Sequence, residues 1–119
     1  MKEISSKMLS RCKKIESLTV ITQGRLWIAA SKGYSDIVKF LIDIDNSQID
    51  RADSRGVTPL LIASFNGHKG VVKILLEKGA NFERKNDDGV NPLHAASENG
   101  HKSVVKLILK SGANIEAVT

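Results

Sequence analysis

Three histidines and a single cysteine are the first side chains of this sequence to consider as metal ligands or nucleophiles. His68 and His101 each follow a glycine, and His94 follows Pro92-Leu93. Protein zinc sites are built from three or four such ligands held close together. No pair of these histidines has the spacing of metal ligands with a third ligand nearby, so the sequence predicts structural histidines and no metal site.

Cys12 is the one candidate nucleophile. Its neighbours Arg11, Lys13 and Lys14 favour the reactive thiolate form, but no base is placed to act with it. The acidic pair Asp87-Asp88 falls in a turn-rich segment, which is typical of a solvated loop rather than of an acid–base pair in a cleft. There is no glycine-rich phosphate loop. The sequence therefore predicts a non-catalytic protein without cofactor or small-molecule substrate.

The net charge of +5 is concentrated at the N-terminus, where residues 1–20 contain five Lys or Arg and two acidic residues. A basic segment of this kind suits either solubility or an anionic partner such as nucleic acid or a membrane surface. One cysteine fits a reducing compartment, and no apolar run suits a secretory signal or a membrane span. We therefore expect an intracellular protein, cytoplasmic or nuclear.

The sequence matches itself at an offset of 33 residues. A repeated structural unit must therefore position any functional side chain. Gly56-Val57-Thr58-Pro59-Leu60 matches Gly89-Val90-Asn91-Pro92-Leu93, and Asn66-Gly67-His68 matches Asn99-Gly100-His101. Self-similarity at such a period is the signature of stacked repeats.

A weaker copy lies upstream at an offset of 34, where Leu26 matches Leu60 and residues 37–39 match 71–73. The extra residue falls between Asp43 and Arg55, where the Gly-Ala-Asn triplet of the later copies is missing. We expect a longer and more mobile loop there.

Each copy predicts two short helices followed by an extended, turn-rich segment. Thr58 is typical of an N-cap, and Pro59 and Pro92 are typical of the first helical position. Glycines at 33, 67 and 100 suit the ends of the first helices, where a positive φ is needed. The predicted first helices cover about 24–32, 58–66 and 91–99, and the second about 35–43, 69–77 and 102–110.

Thr58-Pro59-Leu60 and the run from Pro92 to Ala96 resemble the signature of the ankyrin repeat. The resemblance covers about residues 22–119. It implies an all-α solenoid of stacked helix-turn-helix units with projecting β-hairpin loops, and a concave surface that binds another protein. It also implies that His68 and His101 bond the backbone of adjacent loops and that His94 bonds backbone and a hydroxyl. Trp27 and Leu61 depart from the signature histidine, and Asn91 departs from its threonine.

The two ends of the stack need separate explanations. Ile4, Met8, Ile15 and Leu18 can share one helical face, so residues 1–21 are interpreted as a basic arm whose helix caps the first repeat, the rival being a disordered basic tail. The third repeat has no polar cap, which predicts a longer repeat array, a covering partner or self-association there. The repeats are assigned as 22–55, 56–88 and 89–119.

By the same resemblance, partner contacts fall on the loop tips and on the exposed face of the first helices. Phe65 stands out because its matching residues are Ser31 and Glu98, so its ring is either a binding anchor or a local packing choice. Charge reverses along the surface from Arg55 to Asp88, and a protein partner should show the opposite order. The predicted partner-binding residues are Ser31, Lys32, Ser54, Arg55, Val57, Phe65, Asn66, Lys85, Asp87, Asp88, Val90, Glu98 and Asn99.

Lysines recur on the second helices and form a basic stripe on the convex side of the predicted stack. Without interleaved aromatic residues, a solvated face is the simpler interpretation. The alternative function is a basic module that binds nucleic acid or an anionic membrane through residues 1–14 and this stripe. Its members are Lys39, Lys73 and Lys106 in one row and Lys69 and Lys102 in another.

Overall fold

In a computed structural model of the protein, residues 15–112 are described, with their side chains from Gly24 onward. This part of the chain is a series of helices joined by turns. The helices are α1 (Ile15–Lys32), α2 (Ser35–Ile44), a 3-10 helix (Asn46–Gln48), α3 (Pro59–Asn66), α4 (Lys69–Glu77), α5 (Pro92–Glu98) and α6 (Lys102–Lys110).

The helices form three antiparallel pairs stacked side by side. Within the pairs, α1 packs on α2, α3 on α4 and α5 on α6. Between the pairs, α1, α3 and α5 pack in an inner layer, and α2, α4 and α6 pack in an outer layer. The predicted all-α solenoid of helix-turn-helix units is therefore confirmed.

The core lies between the two layers and repeats with the sequence. Leu26, Leu60 and Leu93 occupy the same position of the inner helices, and all three are buried. Val71, Val72 and Leu75 of α4 are also buried. Because no single pair of helices encloses these side chains, each pair depends on its neighbours for burial.

Polar side chains and glycines set the helix ends as the sequence predicts. The Oγ1 of Thr58 accepts a hydrogen bond of 3.1 Å from the Leu61 N–H, and the Oδ1 of Asn91 accepts one of 2.7 Å from the His94 N–H. Asn91 therefore provides the N-cap in place of the signature threonine. Gly67, with φ at 75°, ends α3 in the left-handed conformation.

The first helix is longer than predicted. It begins at Ile15 rather than near residue 24, so part of the predicted arm belongs to the inner helix of the first repeat. Arg25 occupies the position of Pro59 and Gly24 that of Thr58, so neither the cap nor the proline that starts α3 is present to interrupt α1. The remainder of the predicted capping arm, residues 1–14, lies outside the described residues.

The loops between repeats are hairpin-shaped turns without β-ladders. The N–H of Asp53 donates to the Val57 carbonyl at 3.0 Å, and the N–H of Asn86 donates to the Val90 carbonyl at 2.9 Å. Each turn has one further backbone bond of 3.0 Å, from the Gly56 N–H to the Asp53 carbonyl or from the Gly89 N–H to the Asn86 carbonyl. No strand occurs between residues 15 and 112. The longer loop after α2 holds the 3-10 helix, started by Asp45, whose Oδ1 accepts from the Ser47 N–H.

Candidate functional site

A groove of about 330 Å³ lies between the second and third repeats, on the side of the inner helices and loop tips. Its residues come from both repeats, so the groove exists only when the two are stacked. It is lined by Arg55, Val57, Leu61, Ile62, Phe65, Asn86, Asp88, Val90, Ala95, Glu98 and Asn99.

The floor of the groove is apolar. Val57, Leu61 and Ala95 form a small buried cluster separate from the main core, with half-buried Ile62 and Val90 packed against it. The lining is therefore mainly hydrocarbon with charged groups at the loop tips, which is the usual composition of a recognition site.

Trp27 joins the first repeat to this cluster. Its half-buried ring packs against this cluster, and its indole Nε1–H donates a hydrogen bond of 2.9 Å to the Val57 carbonyl. The tryptophan thus supplies a link between repeats at a position where the family signature has a histidine.

Each loop tip is held by a side chain that accepts two backbone hydrogen bonds, an aspartate in one loop and an asparagine at the matching position of the next. The Oδ1 of Asp53 accepts hydrogen bonds of 2.9 Å from the N–H groups of Arg55 and Val57. At the same place in the next repeat, the Oδ1 of Asn86 accepts bonds of 2.9 Å from Asp88 and Val90. Both loops therefore hold their tips in the same conformation, and charged residues at the tips are presented from a fixed backbone.

The environment of Asp53 alters the acidity of its carboxyl group. Burial alone would raise the pKa of its carboxyl, but the backbone hydrogen bonds from Val57 and Arg55, aided by the Arg55 guanidinium, hold that pKa below the ordinary value of 3.8. The guanidinium lies 3.5 Å from the carboxylate. The loop before α3 is consequently stabilised by a charge that acid removes.

Phe65 combines a fixed backbone with an exposed side chain. Its carbonyl oxygen accepts a hydrogen bond of 3.2 Å from the Asn99 side-chain amide and one of 2.9 Å from the Nε2 of His101. The residue nevertheless remains 53% exposed and lines the groove.

The histidines have structural roles, one of which differs from the prediction. The Nε2 atoms of His68 and His101 lie 2.8 and 2.9 Å from the carbonyl oxygens of Ser31 and Phe65, so both bond backbone of the preceding repeat. The prediction for His94 was wrong, because its Nε2 lies 2.7 Å from the Glu98 carboxylate instead. The repeat holds Asn91 where the signature has a threonine, and its side chain is engaged by the helix N-terminus.

The groove brings together seven of the thirteen predicted contact residues, and six lie elsewhere. Ser54 and Asp87 line a separate, more polar cleft between the loops. The Ser31 carbonyl accepts from the Asn66 side chain at 2.9 Å, so these two join repeats. Lys32 and Lys85 are exposed outside both sites. The seven in the groove are Arg55, Val57, Phe65, Asp88, Val90, Glu98 and Asn99.

Sequence reasoning missed the floor of the groove. Leu61 and Ile62 precede Phe65 by four and three residues, which places all three on neighbouring faces of α3, but their apolar character suggested only core packing. Ala95, which matches Ile62, and Asn86, which matches Asp53, were also missed. The spacing of Leu61 and Phe65 was the signal that could have revealed the site.

The described residues also bear on two other possibilities, a metal site and a membrane-spanning helix. Between Gly24 and Gly112, no three side chains of His, Cys, Asp or Glu cluster in a way that could hold a metal ion. None of the helices from α1 to α6 is long and apolar enough to cross a membrane. The lysines of the predicted convex stripe are exposed on the outer helices.

Comparison with known protein families identifies the repeats directly. A family model described as ankyrin repeats, in three copies, matches residues 26–119. The matched segment contains every residue of the groove.

Curated proteins with similar segments are much longer than this chain. BTB/POZ domain-containing protein 3 of Schizosaccharomyces pombe is 34% identical over 86 residues, which cover 69% of this chain and 16% of that protein. Ankyrin repeat-containing protein P1E11.10 of the same yeast is 40% identical over 60 residues, covering 50% and 28%. Its palmitoyltransferase akr1 is 40% identical over 58 residues, covering 49% and 9%. The chain thus spans less than a third of each of these relatives.

Proposed function

Because this chain belongs to the ankyrin-repeat family, whose repeats are generally protein-interaction modules, we propose that it binds a protein partner in the groove between its second and third repeats. The module acts as a scaffold or adaptor inside the cell, within a longer repeat array, and carries out no catalysis itself. Similar relatives of much greater length support this arrangement.

The exposure of Phe65 is the observation that carries the proposal. The matching positions in the other repeats hold Ser31 and Glu98, so stacking of repeats does not require an aromatic residue there. Phe65 remains 53% exposed beside an apolar floor, which favours a binding anchor over a packing role. Aromatic residues at the centre of an interface commonly contribute about 2 kcal/mol or more to binding.

The charges around the groove indicate the chemistry of the partner. Arg55 stands at the tip of the loop before α3, and Asp88 stands at the tip of the loop before α5. We expect an apolar side chain of the partner to pack on Phe65, with an acidic residue towards Arg55 and a basic residue towards Asp88. Because Glu98 already contacts His94, we expect Asp88 to attract a basic group of the partner more strongly than Glu98 does.

The test compares two exposed phenylalanines. Wild type, Phe65→Ala and Phe40→Ala are used to capture proteins from source-cell lysate, and each captured protein is purified and titrated against all three forms. Phe40 is 63% exposed on the outer helix α2, so its removal is a matched loss of aromatic surface away from the groove. We expect Phe65→Ala to weaken binding at least tenfold, by analogy with interface anchors, and Phe40→Ala to leave it unchanged.

Equal binding by all three forms would refute the groove proposal. Circular dichroism spectra of the variants test whether loss of fold is the cause of any weaker binding. Capture of nucleic acid or anionic vesicles that rising salt releases would instead favour the alternative function, in which the basic stripe and residues 1–14 bind a polyanion.

Self-association through the third repeat is a second proposal, supported by the outer helix α6. Val105 and Leu109 are half-buried there, whereas the matching Val38 and Ile42 of α2 are buried. Analytical ultracentrifugation of wild type and of Leu109→Glu tests it. A monomer at every concentration for the wild type would refute it.

A further inference from the structure

The outer helix of the first repeat carries an apolar stripe that no described element covers. Ile37, Phe40 and Ile44 of α2 are 48%, 63% and 47% exposed. Their spacings of three and four residues place them on one face of the helix. These three residues are called the α2 stripe below.

Two of these three positions are covered in the later repeats. Val71 and Val104 match Ile37 and are buried, while Ile74 and Leu107 match Phe40 and pack against the core as half-buried residues. The cover there is the preceding outer helix, since α2 packs on α4 and α4 on α6. The α2 stripe is therefore at a position where each later repeat receives a helix.

This edge differs from the faces that stack on another ankyrin repeat. Tyr34 stands where His68 and His101 bond a carbonyl of the repeat before them, so the hydrogen bond that joins repeats has no donor of this kind here. Ile44 stands where the later repeats have Lys78 and Ser111, which lengthens the apolar surface towards the end of α2. The cover that fits is a helix with an apolar face rather than a further repeat.

We propose that residues 1–14 fold back as a short helix on the α2 stripe. Ile4 and Met8 are four residues apart, which places both on one side of such a helix. Asp36, one residue before Ile37, borders the stripe, whereas Asp43 is paired with Lys78 at 3.2 Å. The segment contains one acidic residue, Glu3, and five basic residues. Its cations are Lys2, Lys7, Arg11, Lys13 and Lys14.

The length of the segment suits this path. α1 has 18 residues and α2 has 10, so α1 extends past the end of its antiparallel neighbour by eight residues, or about 12 Å. Four residues of extended chain span about 14 Å, enough to return from Ile15 to the level of Ile44. The other ten residues as a helix measure about 15 Å, which matches the length of α2.

This path predicts two contacts between the segment and the α2 stripe. Residues 11–14 form the return turn, so Cys12 lies near Ile44 at the end of α2, while Met8 packs near Phe40. Since Cys12 is the single cysteine of the chain, it serves as a native probe. Lys39 is exposed on the same helix but outside the stripe, and provides the matched control position.

The experiment uses disulfide trapping with oxidised glutathione as the oxidant. Ile44→Cys is expected to form an intramolecular disulfide with Cys12, seen as a faster monomer band in non-reducing electrophoresis, whereas Lys39→Cys is expected not to. In the Ile44→Cys protein, Met8→Asp should slow disulfide formation about tenfold by removing a buried side chain. Ser6→Asp, which adds the same charge on the opposite side of the helix, should leave the rate unchanged.

Three outcomes would overturn the proposal. A disulfide-linked dimer of Ile44→Cys would assign the stripe to a second copy of the chain. Equal trapping at positions 39 and 44 would mean that residues 1–14 have no fixed place, and absence of any disulfide would mean that they lie elsewhere. Circular dichroism spectra test whether the variants, all at exposed or N-terminal positions, retain the helical fold.

Discussion

The Nε2 of His101 lies 2.9 Å from the carbonyl oxygen of Phe65, so the third repeat holds the backbone of the residue proposed to anchor a partner. The ring donates this bond through Nε2–H, because a carbonyl oxygen can only accept. His68 and Ser31 are joined in the same way at 2.8 Å. The contact that stacks the repeats therefore also positions the wall of the groove.

Alanine at Gly67 should destabilise the protein far more than alanine at Gly100. Both glycines have φ at 75°, but a Cβ at Gly67 would lie 2.5 Å from the His101 ring, whereas one at Gly100 would meet nothing within 4 Å. We expect a loss of about 1 kcal/mol for Gly100→Ala from the left-handed backbone alone, and at least about 2 kcal/mol for Gly67→Ala. Urea unfolding measures both, and equal losses would contradict close packing of His101 on Gly67.

Replacing Ser64 by alanine should stabilise the protein. Its Oγ is buried and has no hydrogen-bond partner among the described residues, and the matching residue of the first repeat is Ala30. Removal of an unsatisfied buried hydroxyl is expected to raise the free energy of unfolding by about 1 kcal/mol. The control is Ser97→Ala at the exposed equivalent position, where we expect less than about 0.5 kcal/mol. A clear loss of stability in Ser64→Ala would indicate a partner for the hydroxyl.

Stability should fall in acid through Asp53. Its pKa in the folded protein lies below the ordinary value of 3.8, so the carboxylate stabilises the fold above that pH, and the stabilisation is lost as the pH falls through the folded pKa. Asp53→Asn retains an oxygen for both backbone bonds, as Asn86 does in the next repeat. We expect the variant to be less stable than wild type at pH 7, with the difference shrinking towards pH 3. A difference in unfolding free energy that stays constant over this range would refute the prediction.

Charge reversals at the two loop tips should act on the association rate. Arg55 and Asp88 lie on opposite repeats at the groove, and exposed interface charges mainly steer the encounter. With a purified partner, Arg55→Glu and Asp88→Lys should each slow association severalfold at low salt, and the effect should fade as salt screens the charges. Surface plasmon resonance at several ionic strengths measures this. Unchanged association for both variants would remove the charge argument for the partner.

The fold was predictable because the repeats have similar residues at the positions where their helices begin and end. Pro59 and Pro92 begin the inner helices of the second and third repeats, and positive-φ glycines lie at the predicted ends. The start of α1 was not predictable in this way, because Gly24 and Arg25 carry no stop signal and nothing in the sequence separates residues 15–23 from the helix that follows. A boundary defined by the absence of a signal is visible only in the structure.

The candidate site was predictable only in part, for a related reason. Matching the repeats reveals positions where one differs from the others, and Phe65 was found in this way. The floor of the groove consists of apolar residues such as Leu61 and Ala95, whose types are ordinary for a core. Their exposure to the groove depends on how far two repeats separate at the loop tips, which is a property of the stacked pair and not of either repeat's sequence.

The hydrogen bond from Trp27 to the Val57 carbonyl makes the protein its own fluorescent reporter. As the single tryptophan, half-buried between the first and second repeats, it should change its emission when those two repeats separate, while loss of the third repeat alone should leave the emission largely as it was. Fluorescence and circular dichroism therefore observe different parts of the same unfolding reaction. In a linear array, where each repeat contacts only its neighbours, a gap between the two denaturation curves would measure how far the third repeat unravels independently.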